Sequence, residues 1–285
     1  MLTILFDGVA YGMILFVLAC GLSVTMGLMN FINLAHGAFA MFGGYVTVLA
    51  MQRLGLPFLW ALPAAFLAAA LAGLVLERLV YRPMYAKSHL DQVMFSIGLV
   101  FMAVAGADYL MGSSQQFVQL PAWLSGRFDV AGIGVGRYRL FIIVLCGALA
   151  FAMQWGFTRT RFGSRLRAAV DDARVARGLG IPVNRLFALT FAFGSGLAGL
   201  GGALGIELMG LDPTFPLKFM IYFLIVVTVG GTSTISGPFF AAMLLGVADV
   251  AGKYLVPQLG AFIIYALMVV LLITRPHGLF ARGRA

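Results

Sequence analysis

Nine apolar runs follow one another along the chain, at residues 5–28, 31–50, 58–76, 91–111, 138–157, 186–206, 217–231, 238–254 and 258–274. Within each run the apolar residues are nearly continuous rather than gathered on one face, the pattern of a helix surrounded by lipid or by other apolar helices. A hydrocarbon layer about 30 Å thick takes roughly 20 residues of α-helix to cross. The pattern predicts an all-α, polytopic transmembrane bundle of eight or nine spans, forming one domain over residues 1–285. Two places break the regularity. The seventh and eighth runs are short and meet at Gly230-Gly231-Thr232-Ser233-Thr234-Ile235-Ser236-Gly237-Pro238, and the second carries Asn33 and His36 beside Gly37, Gly43 and Gly44. Short or broken helices are expected there, because irregular backbone at membrane depth is tolerated where it lines a cavity. Gly230, Gly231 and Gly237 are the hinge candidates.

Composition narrows the class. Of 285 residues, 62% are hydrophobic and 10% charged. Soluble domains run near half apolar and a quarter charged, so a soluble globular protein and a disordered chain are both excluded. The net charge of +9 does not point to nucleic acid, since the basic residues lie between apolar runs and form no continuous soluble face. Residues 158–185 hold seven arginines, residues 77–90 hold Arg78, Arg82 and Lys87, and the tail holds Arg275, Arg282 and Arg284. Thirteen of the 19 Lys and Arg fall on one side if these segments face the cytoplasm. The positive-inside rule prefers that arrangement, with the C-terminus cytoplasmic and the N-terminus outside. Arg127, Arg137 and Arg139 oppose it but are outnumbered. The first basic residue is Arg53, so no cleaved signal peptide is expected. Cys20 and Cys146 sit inside apolar runs, which suits neither a disulfide framework nor a metal site.

Polar groups within the runs carry the chemistry. An unpaired carboxylate at a helix centre costs about 2.5–3.5 kcal/mol, so such groups face a partner or a pathway. Asp108 and Asp249 are the clearest cases, each either an interhelical partner or part of a permeation path. Lys253 stands four residues after Asp249 and is a ready ion-pair partner. Asn30, Asn33 and His36 form a polar cluster that needs local bonding at a helix break or a place on the pathway. Asp7 and Glu77 lie near span ends within reach of water and are assigned no role. Glycine supplies 36 residues, including the pair Gly8 and Gly12 and the crowd from Gly194 to Gly205, which favours close helix packing. No phosphate-binding loop, zinc-protease motif or nucleophile elbow occurs, and no cofactor or metal is expected. An intramembrane enzyme is disfavoured for want of a matched acid, base and nucleophile.

In the basic segment, Arg165 to Leu179 reads as one helix stopped by Gly180 and Pro182, with Ala169, Ala173 and Ala176 as a small-residue face. It could rest on lipid headgroups or dock in a groove of a soluble partner. At this point the chain resembles the permease subunit of branched-chain amino-acid ABC importers, of the LivH and LivM type. The resemblance is carried by Gly21-Leu22, Asn33-Leu34-Ala35-His36-Gly37 and Glu77-Arg78-Leu79-Val80-Tyr81-Arg82-Pro83. It continues through Arg167-Ala168, Asp172-Ala173, Leu179-Gly180-Ile181, Phe187-Ala188-Leu189, Gly230-Gly231 and Arg275-Pro276-His277-Gly278-Leu279-Phe280. It implies an inner-membrane subunit paired with a second, LivM-like permease, driven by two cytoplasmic ATPases and fed by a periplasmic solute-binding protein. It also implies that the basic helix couples to the ATPase, through Arg165, Arg167, Ala168, Asp172, Ala173 and Gly180. Where the family commonly has Gly-Gly-x-Gly-Ser, this chain has Gly230-Gly231-Thr232-Ser233-Thr234. Members also carry urea, short amides and other small carboxylate-bearing solutes, so branched-chain amino acids are the favoured cargo among several. The competing reading is a stand-alone transporter driven by protons through Asp108, Asp249 or His36.

Overall fold

A computed structural model describes residues 1–29, 31, 33–130, 133–231 and 236–274. Each of the nine apolar runs is a helix. They are α1 (Leu2–Met29), α2 (His36–Gln52), α3 (Phe58–Leu76), α4 (His89–Met111), α5 (Arg137–Arg159), α8 (Val183–Met209), α9 (Phe215–Gly230), α10 (Ser236–Leu255) and α11 (Gly260–Thr274). Two more, α6 (Arg161–Asp171) and α7 (Ala173–Gly178), occupy the basic segment. Past its last α-helical residue α3 continues through a π turn, Glu77–Tyr81, and a 3-10 turn, Arg82–Ala86.

The bundle is polytopic and essentially all helical, but the span count differs from expectation. Among the described residues six helices, α1, α3, α4, α5, α8 and α10, are long and apolar enough to cross a membrane. The helices α2, α9 and α11 have 17, 16 and 15 residues, and at about 1.5 Å per residue they fall short of a full crossing. For α2 and α9 the excess arises because a continuous apolar run is equally the mark of a helix packed among other helices. One antiparallel hairpin was not legible: β1 (Arg127–Val130) pairs with β2 (Ile133–Gly136), Arg127 opposite Gly136.

Helices α1 and α8 form the centre, buried along most of their length, whereas α4 and α5 are largely exposed. Lipid offers no hydrophobic drive for two helices to meet, so contact relies on backbones approaching closely through small residues. The glycine pairs do this. A Cβ on Gly202 would lie 1.9 Å from the Ala40 carbonyl oxygen, and one on Gly43 would lie 2.3 Å from Gly199 Cα. Across α1 and α10, a Cβ on Gly246 would lie 2.5 Å from Gly12 Cα, and one on Gly12 2.7 Å from the Ala242 oxygen. The packing reading of Gly8, Gly12 and the Gly194–Gly205 crowd therefore describes what these residues do. Polar ties supplement it: Tyr138 donates to the Leu204 carbonyl at 2.8 Å, and Arg139 pairs with Asp7.

Candidate functional site

The polar cluster at the start of α2 is a knot tied to its surroundings. His36 is buried, and its Nε2–H donates to the Leu18 carbonyl of α1 at 3.0 Å. Asn33 is fully buried; its Oδ1 accepts from the Ala35 N–H and from the Tyr81 hydroxyl, each at 3.1 Å. The first of these bonds closes a side-chain turn that helps to launch α2, since Asn offers the backbone a local acceptor. The second fastens α2 to the π turn of α3. Among the described residues Asn33 Nδ2 is buried without a partner, which leaves one spare donor in the interior. Asn30 lies outside the described residues. Tyr81, packed edge-on by Phe31 and Phe95, is a member of this knot that apolar patterning could not single out.

The two intramembrane aspartates part company. Asp249 is buried on α10, and its Oδ2 accepts from Lys253 Nζ at 2.6 Å, while Oδ1 has no partner among the described residues. Lys253 also lies 5.6 Å from the centre of the Tyr11 ring of α1. Asp108 is exposed, near the end of α4, and lines an open cavity of about 630 Å³ with Ser113, Gln115, Asp212, Thr214 and Lys218. Gly230 ends α9 against the start of α10: a Cβ there would lie 2.4 Å from Pro238 N. Gly231, at φ +81°, turns the chain and donates its N–H to the Val227 carbonyl at 2.9 Å. Gly237 is buried in the same contact. Residues 232–235 and the tail from Arg275 onward lie outside the described residues.

The basic segment departs most from expectation. The single helix predicted over Arg165–Leu179 is two helices, because Asp172 takes an extended conformation (φ −152°, ψ 100°). Its Oδ1 accepts from the N–H groups of Arg174 and Val175 at 2.8 and 2.9 Å, so it ends α6 and caps α7. The small-residue face also points elsewhere than expected. Ala169 and Ala176 are buried with Leu166 against Val183 and Leu186 at the start of α8, with Ala173 packed alongside. Ala168 is half-buried, and Gly180, at φ +79°, turns the chain toward α8. The outer surface instead presents Arg165, Arg174 and Arg177 with two apolar side chains, Val175 and Leu179, that are 57% and 76% exposed. Arg167 is held back onto α5 by donating to the Phe157 carbonyl.

Beside this pair lies an open groove of about 810 Å³ between the π turn and the α7–α8 link, lined by Arg78, Arg82, Arg177, Arg185 and Glu77. Glu77 is buried rather than wetted: its Oε1 accepts from Tyr85 at 3.2 Å and its Oε2 has no partner among the described residues. The bundle thus carries a basic end and, some 27 residues of α8 away, a mixed end where Asp108, Asp212 and Glu207 stand with Arg127, Arg139 and Lys218. Among the described residues no group of three His, Cys, Asp or Glu could hold a metal.

Comparison with known proteins supplies the context for this arrangement. The high-affinity branched-chain amino acid transport system permease protein BraD of Pseudomonas aeruginosa is 26% identical over 294 residues, covering 98% of this chain and 95% of its own. The corresponding LivH protein of Salmonella typhimurium is 28% identical over 296 residues, covering 98% and 94%. A glucose ABC transporter permease protein of Haloferax volcanii is 29% identical over 262 residues, covering 82% and 66%. No solved structure matches the chain. Residues 4–272 match the family described as the branched-chain amino acid transport system permease component, and the chain belongs to that family.

Proposed function

We propose that this chain is a membrane-spanning subunit of a bacterial inner-membrane ABC importer, moving branched-chain amino acids by alternating access on energy supplied by separate ATPase subunits. The observation that carries the reading is the α6–α7 pair. Two short helices stand outside the long apolar helices, anchor to α8 through an apolar inner face, and turn arginines with Val175 and Leu179 outward. Such a surface suits the groove of a soluble partner better than lipid headgroups, because its exposed apolar groups, Phe162, Val175 and Leu179, are few and scattered among arginines. The basic end is then cytoplasmic and the N-terminus external, in keeping with the loop charges. A second permease completes the pathway, and a periplasmic binding protein selects the cargo; the glucose permease among the relatives indicates a scaffold that serves more than one solute.

The shorter helices α2, α9 and α11 enter the membrane in part beside the six long ones, with the Gly230–Gly237 contact as the hinge. A proton-driven transporter is the weaker alternative, since His36 is bonded to a carbonyl and Asp249 to Lys253. Arg165→Glu combined with Leu179→Asp tests the coupling surface in a reconstituted importer. Solute uptake should fall about tenfold or more, the loss of roughly 1.4 kcal/mol or more of docking energy, while membrane insertion is unchanged. Normal uptake in that variant would count against ATPase docking here.

A further inference from the structure

The end of the bundle opposite the α6–α7 pair holds a cavity whose chemistry is matched to a particular kind of solute. Its walls are the last turns of α4, the 112–116 loop and the turn between α8 and α9. The loop is pinned to the turn by the Gln116 N–H, which donates to the Leu211 carbonyl at 2.7 Å, so the walls are held in register. Three charged groups face the space. Asp212 is occupied: its carboxylate accepts from the Thr214 N–H at 2.8 Å, from the Thr214 hydroxyl and from Lys218. Lys218 spends one donor on Asp212 and keeps two, with its side chain half exposed. The Asp108 carboxylate makes no hydrogen bond or ion pair among the described residues, its backbone carbonyl alone accepting from the Gly112 N–H, and it leaves the cavity with one uncompensated negative charge. Near both aspartates, though not part of the cavity wall, is Tyr45 of α2, whose hydroxyl is buried and has no partner among the described residues. The remaining wall is apolar, formed by Phe101, Val104 and Ala105.

We propose that this cavity is an entry site for a zwitterionic solute with an apolar side chain, its ammonium held by Asp108, its carboxylate by Lys218 and its side chain laid against Phe101 and Val104. The proposal rests on the reading of the chain as an amino-acid permease and specifies where such a solute is first received. A free carboxylate, an ammonium with spare donors and an apolar wall in one cavity correspond to the three parts of an aliphatic amino acid. A neutral sugar would leave the charges unused, and a simple cation would leave Lys218 opposed to it.

Saturation-transfer NMR on the assembled importer in phosphatidylcholine nanodiscs, without binding protein or ATP, tests the site with L-leucine as the probe. Transfer to the leucine methyl protons is expected, with 4-methylpentanoate, which lacks the ammonium, about tenfold weaker through loss of a charge-assisted bond. Asp108→Asn should weaken leucine by a similar factor, and Asp108→Glu should restore most of it. If Asp108→Asn does not assemble, Lys218→Met serves instead, weakening leucine while leaving 3-methylbutylamine undiminished, since the Asp212 carboxylate is released as a second acceptor. Equal signals from leucine and 4-methylpentanoate, or a leucine signal indifferent to both variants, would overturn the site. An importer that accumulates leucine with its binding protein yet shows no such signal contradicts this site alone, whereas one that accumulates no amino acid at all contradicts the amino-acid reading itself.

Discussion

Asp249 and Lys253 show how a charge survives inside an apolar bundle. The carboxylate is 1% exposed and the ammonium 51% exposed, so the lysine reaches out to water while neutralising a group that cannot. Removing the lysine therefore costs more than removing the acid. Lys253→Met should lower stability by about 1–3 kcal/mol, the desolvation of a buried group left without its partner, whereas Asp249→Asn should cost less than about 1 kcal/mol. Thermal unfolding of the two purified variants in one detergent compares them directly, and equal losses would show that the pair is not what holds the charge. Asp212 gives a pH dependence outside the membrane. Burial raises its carboxyl pKa, but the bonds from Lys218 and Thr214 outweigh that and hold it below the ordinary aspartate value. A depressed folded pKa stabilises the native turn at pH above the unfolded value, near 3.8, and that contribution is lost as pH falls through the folded value. Lys218→Met should therefore flatten the acid limb of a stability-against-pH curve measured between neutral pH and the carboxylate range.

At the level of elements, hydropathy identified every long helix because lipid and protein interior select the same side chains. It could not say which helices stop short, nor how deep a polar residue lies. Asp108 and Asp249 look alike in sequence, yet one is on an open cavity wall and the other inside the α1–α10 contact. The break at Asp172 was legible in principle, since Asp is a strong N-cap, but two adjacent aspartates amid arginines also read as a solvated helix face. The hairpin over Arg127–Gly136 was hidden because four-residue strands give too little alternation to detect. Of the expected coupling residues, Arg165 lies on the outer surface, Arg167 is tied to α5, and Asp172 is a cap; the exposure of Val175 and Leu179 was not legible, because two isolated apolar residues in a basic loop carry no periodic signal. Asp172→Ala should cost the α6–α7 junction about 0.5–2 kcal/mol by losing both capping bonds. In the reconstituted importer the expected result is ATP hydrolysis that continues while uptake falls. Hydrogen exchange at Arg174 and Val175 should rise in the same variant, which ties the functional loss to the junction.

The whole molecule is a tight central core, α1 and α8 with α2, α3 and α10 pressed against them, inside a sparsely packed outer layer of α4, α5 and α11. Small residues make the core rigid, and the exposed apolar faces of α4 and α5 are available to lipid or to a second subunit. Nothing in the described interior forms a chain of titratable groups from one end to the other: the polar knot of Asn33, His36 and Tyr81, the Asp249–Lys253 pair and the Asp108 cavity are separate features. In the proposed function this body is a gate whose energy comes from separate ATPase subunits. Uptake of radiolabelled leucine into proteoliposomes therefore discriminates most directly, with the purified chain alone under an imposed proton gradient set against the chain joined by its second permease, ATPases and binding protein with ATP. The expected result is accumulation only in the complete assembly. Concentrative uptake by the chain alone would contradict a subunit powered from outside.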